Sequence, residues 1–143
     1  MLEDIIDILK KNNIKPEPLF VEEINRFEKS CGVIFPATYK SFLQEMGKGA
    51  GHFMLGSDVF HKDIVDLSEG AKELIEENNL PQLPENAYVF WMHQGYQVAW
   101  FICNGNPNPD VYFFTEGEGS KDYVIMGTFT DFLDIQLQMS GLK

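Results

Sequence analysis

A chain of 143 residues, 44 % hydrophobic and with 12 Phe, 5 Tyr and 2 Trp, is long and apolar enough to fold as one domain without disulfides or metal. It is too aromatic to stay disordered. Acids outnumber Lys and Arg 22 to 11, a net charge of −11, and Arg26 is the one arginine. That balance lacks the clustered cations that phosphate backbones and anionic membranes require, so neither nucleic acid nor membrane is expected as a partner.

In chain order, Leu2, Ile5, Ile6 and Leu9 recur at helical spacing and predict a helix over 1–13, ended by Asn12-Asn13 and the Pro16/Pro18 pair. A second helix is expected over about 19–31, with Phe20, Ile24, Phe27 and Cys31 as its stripe and Gly32 in the left-handed position past its end. Val33-Ile34-Phe35 precedes a proline and reads as extended. Pro36 opens a third helix from its first position; Tyr39, Phe42, Leu43 and Met46 are its apolar face, and Gly47 closes it. The run 47–51 holds three glycines around one lysine but follows a helix, where a phosphate loop would follow a strand; it reads as a turn. A short strand or two is expected in 52–60. A helix over about 68–79 follows, with Ser68 as its N-cap, Ala71, Leu74 and Ile75 facing inward, and Glu69, Glu73, Glu76 and Glu77 on a solvated side.

From 87 the period becomes two. Strands are expected over 87–93 and 96–103 around a tight turn at Gln94-Gly95, then over about 110–115 and 122–126. The last helix starts at Thr128, with Asp131 completing a capping box and Phe129, Phe132, Leu133 and Leu137 as its buried stripe. Strict alternation puts Tyr88, Phe90 and Met92 on one face of the first strand and Val89, Trp91 and His93 on the other. The second strand divides into Tyr96, Val98, Trp100 and Ile102 against Gln97, Ala99, Phe101 and Cys103. Neither strand has a clean polar side. Either both faces are covered, the preferred reading, or one aromatic face opens to a partner.

Chemistry-bearing motifs are sparse. His52, His61 and His93 share no i, i+3 or i+4 spacing, and Cys31 and Cys103 form no C-x-x-C pair, so no zinc site is expected. Gly56-Ser57-Asp58 is not a nucleophile elbow. A Cys–His dyad stays open, because such partners meet in space, although both cysteines sit in apolar patterns where thiols are packing. No catalytic residue, cofactor or metal is assigned. Two cysteines make no disulfide framework, and Met1-Leu2-Glu3-Asp4-Ile5 is acidic where a signal peptide would be basic, so the expected location is cytoplasmic.

Charge is the stronger signal. Residues 73–120 contain no Lys or Arg and seven acids: Glu73, Glu76, Glu77, Glu85, Asp110, Glu116 and Glu118. Acidic loops beside aromatic strands suit a basic protein partner, the charges steering the encounter and the aromatics holding it. Otherwise the acids simply keep the sheet soluble, and composition alone favours that plainer role. The candidate partner-binding residues are Glu85, Gln94, Tyr96, Asp110, Glu116 and Glu118. Of the aromatics near the turn, Tyr96 is expected to be exposed and Trp91 to be core.

Taken together, Ile24-Asn25-Arg26-Phe27-Glu28, Cys31-Gly32-Val33-Ile34-Phe35-Pro36 and Tyr39-Lys40-Ser41-Phe42-Leu43 resemble the N-terminal signature of the SUKH superfamily. The Pro109-Asp110-Val111-Tyr112 strand entry and the closing Gly127-Thr128-Phe129-Thr130-Asp131-Phe132-Leu133 also resemble the family's pattern. The resemblance spans about 20–137, with little support in 52–86. It implies an α+β fold: N-terminal helices packed on a mainly antiparallel, curved sheet, with a C-terminal helix, in a single domain over 1–143. It carries over no catalytic residues; Glu28, Gly32, Pro36 and Tyr39 look structural. Bacterial single-domain members resemble immunity proteins that neutralise polymorphic or contact-delivered toxins, often nucleases. Fungal members, of the Smi–Knr cell-wall regulator type, are scaffolds with long disordered flanks. The expected function is therefore a toxin-neutralising binding protein, the absence of such flanks favouring it. A non-catalytic regulatory module is the alternative and a small hydrolase the third reading. Oligomeric state is left open.

Overall fold

The computed structural model describes residues 2–64, 67–119 and 121–143. The chain order is α1 (Glu3–Lys11), α2 (Val21–Cys31), α3 (Ala37–Met46), β1 (Ser57–Asp58), α4 (Leu67–Glu77), β2 (Ala87–His93), β3 (Gln97–Ile102), β4 (Asp110–Thr115), β5 (Val124–Thr128) and α5 (Phe129–Met139). The five strands form one antiparallel sheet in sequence order. The fold is α+β, as the resemblance implies.

Helix ends follow local chemistry. Gly32 takes φ +70° at the end of α2, a left-handed cap that a side chain would strain. Thr128 and Asp131 close the α5 capping box: the Thr128 amide donates to Asp131 Oδ2 at 2.9 Å and the Asp131 amide to Thr128 Oγ1 at 3.4 Å. The Phe20 amide donates to Glu23 Oε1 at 3.2 Å; with Lys48 and Arg26 nearby, this bond holds the Glu23 carboxyl below its usual range. Three expectations shift. Phe20 caps α2 from outside and is exposed, so it is not part of the stripe. Pro36 is the N-cap of α3 rather than its first residue. Helix α4 starts at Leu67, so Ser68 lies within its first turn, and the cap position falls outside the described residues.

The predicted apolar stripes are buried. Tyr39, Phe42, Leu43 and Met46 of α3 and Phe129, Phe132, Leu133 and Leu137 of α5 are fully shielded from solvent. Tyr39 sits among Phe35, Phe101 and Phe129 with ring centroids at 4.9, 5.4 and 5.6 Å, mostly edge to face, the geometry aromatic quadrupoles prefer. This cluster joins α1, α2, α3 and α5 to one face of the sheet through Phe90, Ala99 and Phe101. On the other face α4 packs Leu67, Ala71, Leu74 and Ile75 against Met92, Val98 and Phe114. Both faces are thus covered, which explains why β2 and β3 lack a polar side. Trp100 is buried too, stacked on Tyr112 at 4.3 Å.

Alternation fails at one point. The register slips between Val89↔Trp100 and Trp91↔Ala99, so Phe90 is an extra, bulged residue. Phe90 and Trp91 therefore both pack into the α5 side, against Phe132 at 5.3 and 5.5 Å. Trp91 shares a face with Tyr88 and Phe90 rather than opposing them.

The motif residues have structural work. Glu28 Oε2 accepts the Phe35 amide at 2.7 Å and pairs with Lys40 at 3.2 Å, tying α2 to the start of α3. No helix among the described residues is long and apolar enough to cross a membrane.

Candidate functional site

The antiparallel meander sorts the six candidate residues into two groups. Gln97 pairs with Thr115, so the β2–β3 turn and the loop after β4 lie at one end of the sheet. Gln94, Tyr96, Glu116 and Glu118 meet there. Ala87 pairs with Ile102 and Asp110 with Thr128 at the other end, where Glu85 and Asp110 lie. These two are exposed but separated from the rest by the length of the strands.

The turn end is built tightly. Gln94 and Gly95 have φ of +48° and +77°, the signature of a primed hairpin turn matched to strand twist. The Glu116 amide donates to the Tyr96 carbonyl at 2.9 Å, and Asn78, just past α4, donates to Glu116 Oε2 at 2.8 Å. The acidic loop is thereby fixed to both the hairpin and α4. His93 stacks on Trp91 at 6.0 Å, meets Ser57 Oγ through Nδ1 at 3.0 Å and holds the Tyr96 ring edge-on at 5.8 Å. Tyr96 remains 38 % exposed, while Trp91 is buried.

One apolar side chain joins this end without any sequence signal, and a second lies nearby on α5. Leu55 is 76 % exposed and precedes Gly56, where an added Cβ would stand 3.4 Å from His93 and 3.7 Å from Gln94. Met139 is 72 % exposed at the end of α5, and its neighbour Ser140 accepts the Met54 amide at 3.3 Å. Leu55 stands in a turn and Met139 continues an amphipathic helix; the Ser140 contact places the end of α5 beside the 51–56 turn, and Leu55 is the one that borders the hairpin. Asp58 adds a carboxyl whose pKa is raised by partial burial and by Asp63, against the opposing pull of His93.

A second feature was not legible in the sequence. Helices α2 and α4 flank the start of β2 and enclose a groove of about 950 Å³, lined in part by Phe27, Cys31, His61, Leu67, Ala71, Ile75 and Val89. Its walls come from segments some forty residues apart in sequence.

The nucleophile candidates are unpromising chemically. Burial raises both thiols, that of Cys103 to about 11, and among the described residues neither hydrogen-bonds a histidine. Among the described residues no group of three or more His, Cys, Asp or Glu is placed to hold a metal ion. A family model described as SMI1-KNR4 cell-wall, of the SUKH group, matches residues 21–133. No curated protein and no solved structure matches the chain.

Proposed function

The chain belongs to the SUKH superfamily, and from that premise we propose that it acts by binding, as an immunity protein that neutralises a cognate toxin domain without catalysis of its own. The observation that carries the reading is the turn end of the sheet. There the exposed Tyr96 ring stands with the carboxylates of the loop after β4, Glu116 and Glu118, and the exposed Leu55 lies on the other side of the same hairpin, before β1. Apolar anchors beside like-charged acids suit a basic surface: the charges act over a Debye length of roughly 8 Å at physiological salt, and the anchors act on contact. The proposed partner is thus a basic protein, a nuclease toxin domain being the leading class, met in the cytoplasm.

The test starts from the neighbouring reading frame: where it encodes a toxin domain, association kinetics with that domain are measured at two salt concentrations. Glu116→Lys with Glu118→Lys is expected to slow association by about tenfold at low salt, with little change in dissociation, because rim charges act mainly on encounter. Tyr96→Ala is expected to speed dissociation. A salt-independent on-rate, unchanged in the double reversal, would return these acids to a solubilising role. A second reading follows from the description of the matching family as cell-wall: a regulatory module whose partner is an endogenous enzyme. Protection of cells from the neighbouring toxin on co-expression separates the two, since a regulator gives none.

A further inference from the structure

The sheet edge beside β1 is open along most of β2. Strand β1 pairs only with Met92 and His93, and among the described residues no strand pairs with Ala87–Trp91 on that side. Toward β3, antiparallel pairs alternate between bonded and non-bonded. The Cys103 amide donates to the Asn86 carbonyl at 2.9 Å, which makes Asn86 with Cys103 a bonded pair. Tyr88 with Phe101 is then bonded, whereas Ala87 with Ile102 and Val89 with Trp100 are not. The backbone groups of Ala87 and Val89 therefore point away from β3, into the open edge. The Ala87 amide is used, donating to the Pro84 carbonyl at 3.0 Å. Among the described residues, no hydrogen bond outside the ladder engages the Ala87 carbonyl or either backbone group of Val89.

This edge is the floor of the α2–α4 groove. The two helices lie mainly on opposite faces of the sheet, α2 on the Phe90–Phe101 side and α4 on the Met92–Val98 side, with Phe27 of α2 reaching both clusters at the groove floor, so they stand as jaws above and below a missing strand. The three residues before the bulge, Ala87 to Val89, offer about 10 Å of regular edge at the usual strand rise. A strand laid there would continue the line of β1. Its alternate side chains would meet Phe27 and Cys31 on one jaw and Leu67, Ala71 and Ile75 on the other. The rim charges favour an acid. Glu23, which accepts the Phe20 amide, pairs with Lys48 and also faces Arg26, so that with Lys72 and Glu76 the rim carries three cations to two carboxylates, a local excess of one positive charge on a chain of net charge −11.

We propose that the α2–α4 groove binds an extended segment of a partner protein as an added strand on β2, apolar at alternate positions and carrying a carboxylate for Arg26 and Lys72. Main-chain bonds to Val89 supply affinity, and the two jaws supply selectivity. The proposal goes beyond the toxin reading and does not depend on it, because it concerns different residues and a partner segment of opposite charge.

The probe is a random heptapeptide library without proline, displayed on phage, with enriched sequences remade as free peptides. Enriched peptides are expected to alternate apolar residues, to contain an acid and to bind one to one. N-methylation of one alternate set of amides should weaken binding by about tenfold or more, and of the other set by less than about threefold. Exchange of the Val89 amide with solvent should slow at saturation. Ser68→Trp, an exposed α4 position on the groove, should abolish binding with the unfolding midpoint unchanged. Arg26→Glu with Lys72→Glu should cost about tenfold. No enriched pattern, equal loss from both N-methyl sets, or an unchanged Val89 exchange rate would each overturn the proposal. The last two are read on the wild-type protein and stand even if Ser68→Trp fails to fold.

Discussion

Phe42→Ala removes a ring that has no solvent exposure and touches three others. Its neighbours are Tyr39, stacked at 6.0 Å, Phe60, stacked at 6.1 Å, and Phe129, edge-on at 5.8 Å. These come from α3 itself, the segment before α4, and α5, so the cavity left behind cannot be closed by moving one element. Truncation of a buried Phe costs about 3–5 kcal/mol, the upper end applying where surroundings cannot collapse. A domain of this size has about 5–15 kcal/mol in total, so the variant gives up a third or more of its stability. With a urea slope of about 2 kcal/mol/M, the midpoint should fall by about 2 M, and the melting temperature by roughly 6–20 °C. Phe20→Ala, at a 62 % exposed position outside the stripe, is the control and should change stability by no more than about 0.5 kcal/mol. A midpoint shift below about 0.5 M for Phe42→Ala would refute the claim that the α3 stripe is the keystone between helices and sheet.

Gly32→Ala should cost about 1–2 kcal/mol, since φ is +70° with open space around the missing Cβ. Gly127→Ala should cost more in the same urea assay, because φ is +78° and the new carbon would lie 2.8 Å from the Asp131 carboxylate that caps α5. Burial raises the Tyr123 phenol from 10.0 to about 12, and its hydroxyl donates to the Pro81 carbonyl at 2.9 Å. The fold therefore favours the protonated phenol. That contribution is complete below pH 10 and is lost as pH rises from 10 to about 12, and Tyr123→Phe should flatten this part of the stability–pH curve. Desolvation raises Cys103 from 9.0 to about 11, which lowers its thiolate fraction near pH 8 by about 100-fold. Iodoacetamide should label it correspondingly slower in the native than in the urea-unfolded protein, and equal rates would show an accessible thiol.

What the residues announce on their own is what neighbours within a turn or two can enforce. The α3 and α5 stripes, the left-handed Gly32, the Thr128–Asp131 box and the Gln94-Gly95 turn are all local, each fixed by spacing or by a backbone angle few residues accept. The exposure of Tyr96 and the burial of Trp91 follow from their distance to that turn. What tertiary structure decided is long-range. The bulge at Phe90 turns Trp91 onto the face of its neighbour because α5 offers Phe132 there, a contact forty residues away that no period-two pattern encodes. Strand direction alone places Glu116 and Glu118 beside Tyr96 and sends Glu85 and Asp110 to the far end, although all four are equally acidic in sequence. Leu55 becomes a surface neighbour of the hairpin only through the pairing of β1 with the end of β2. The groove, likewise, exists because β1 is two residues long and α2 and α4 cover opposite faces beyond its end. Local sequence chooses the elements; which edge stays open, and what stands on either side of it, is set only when the elements pack.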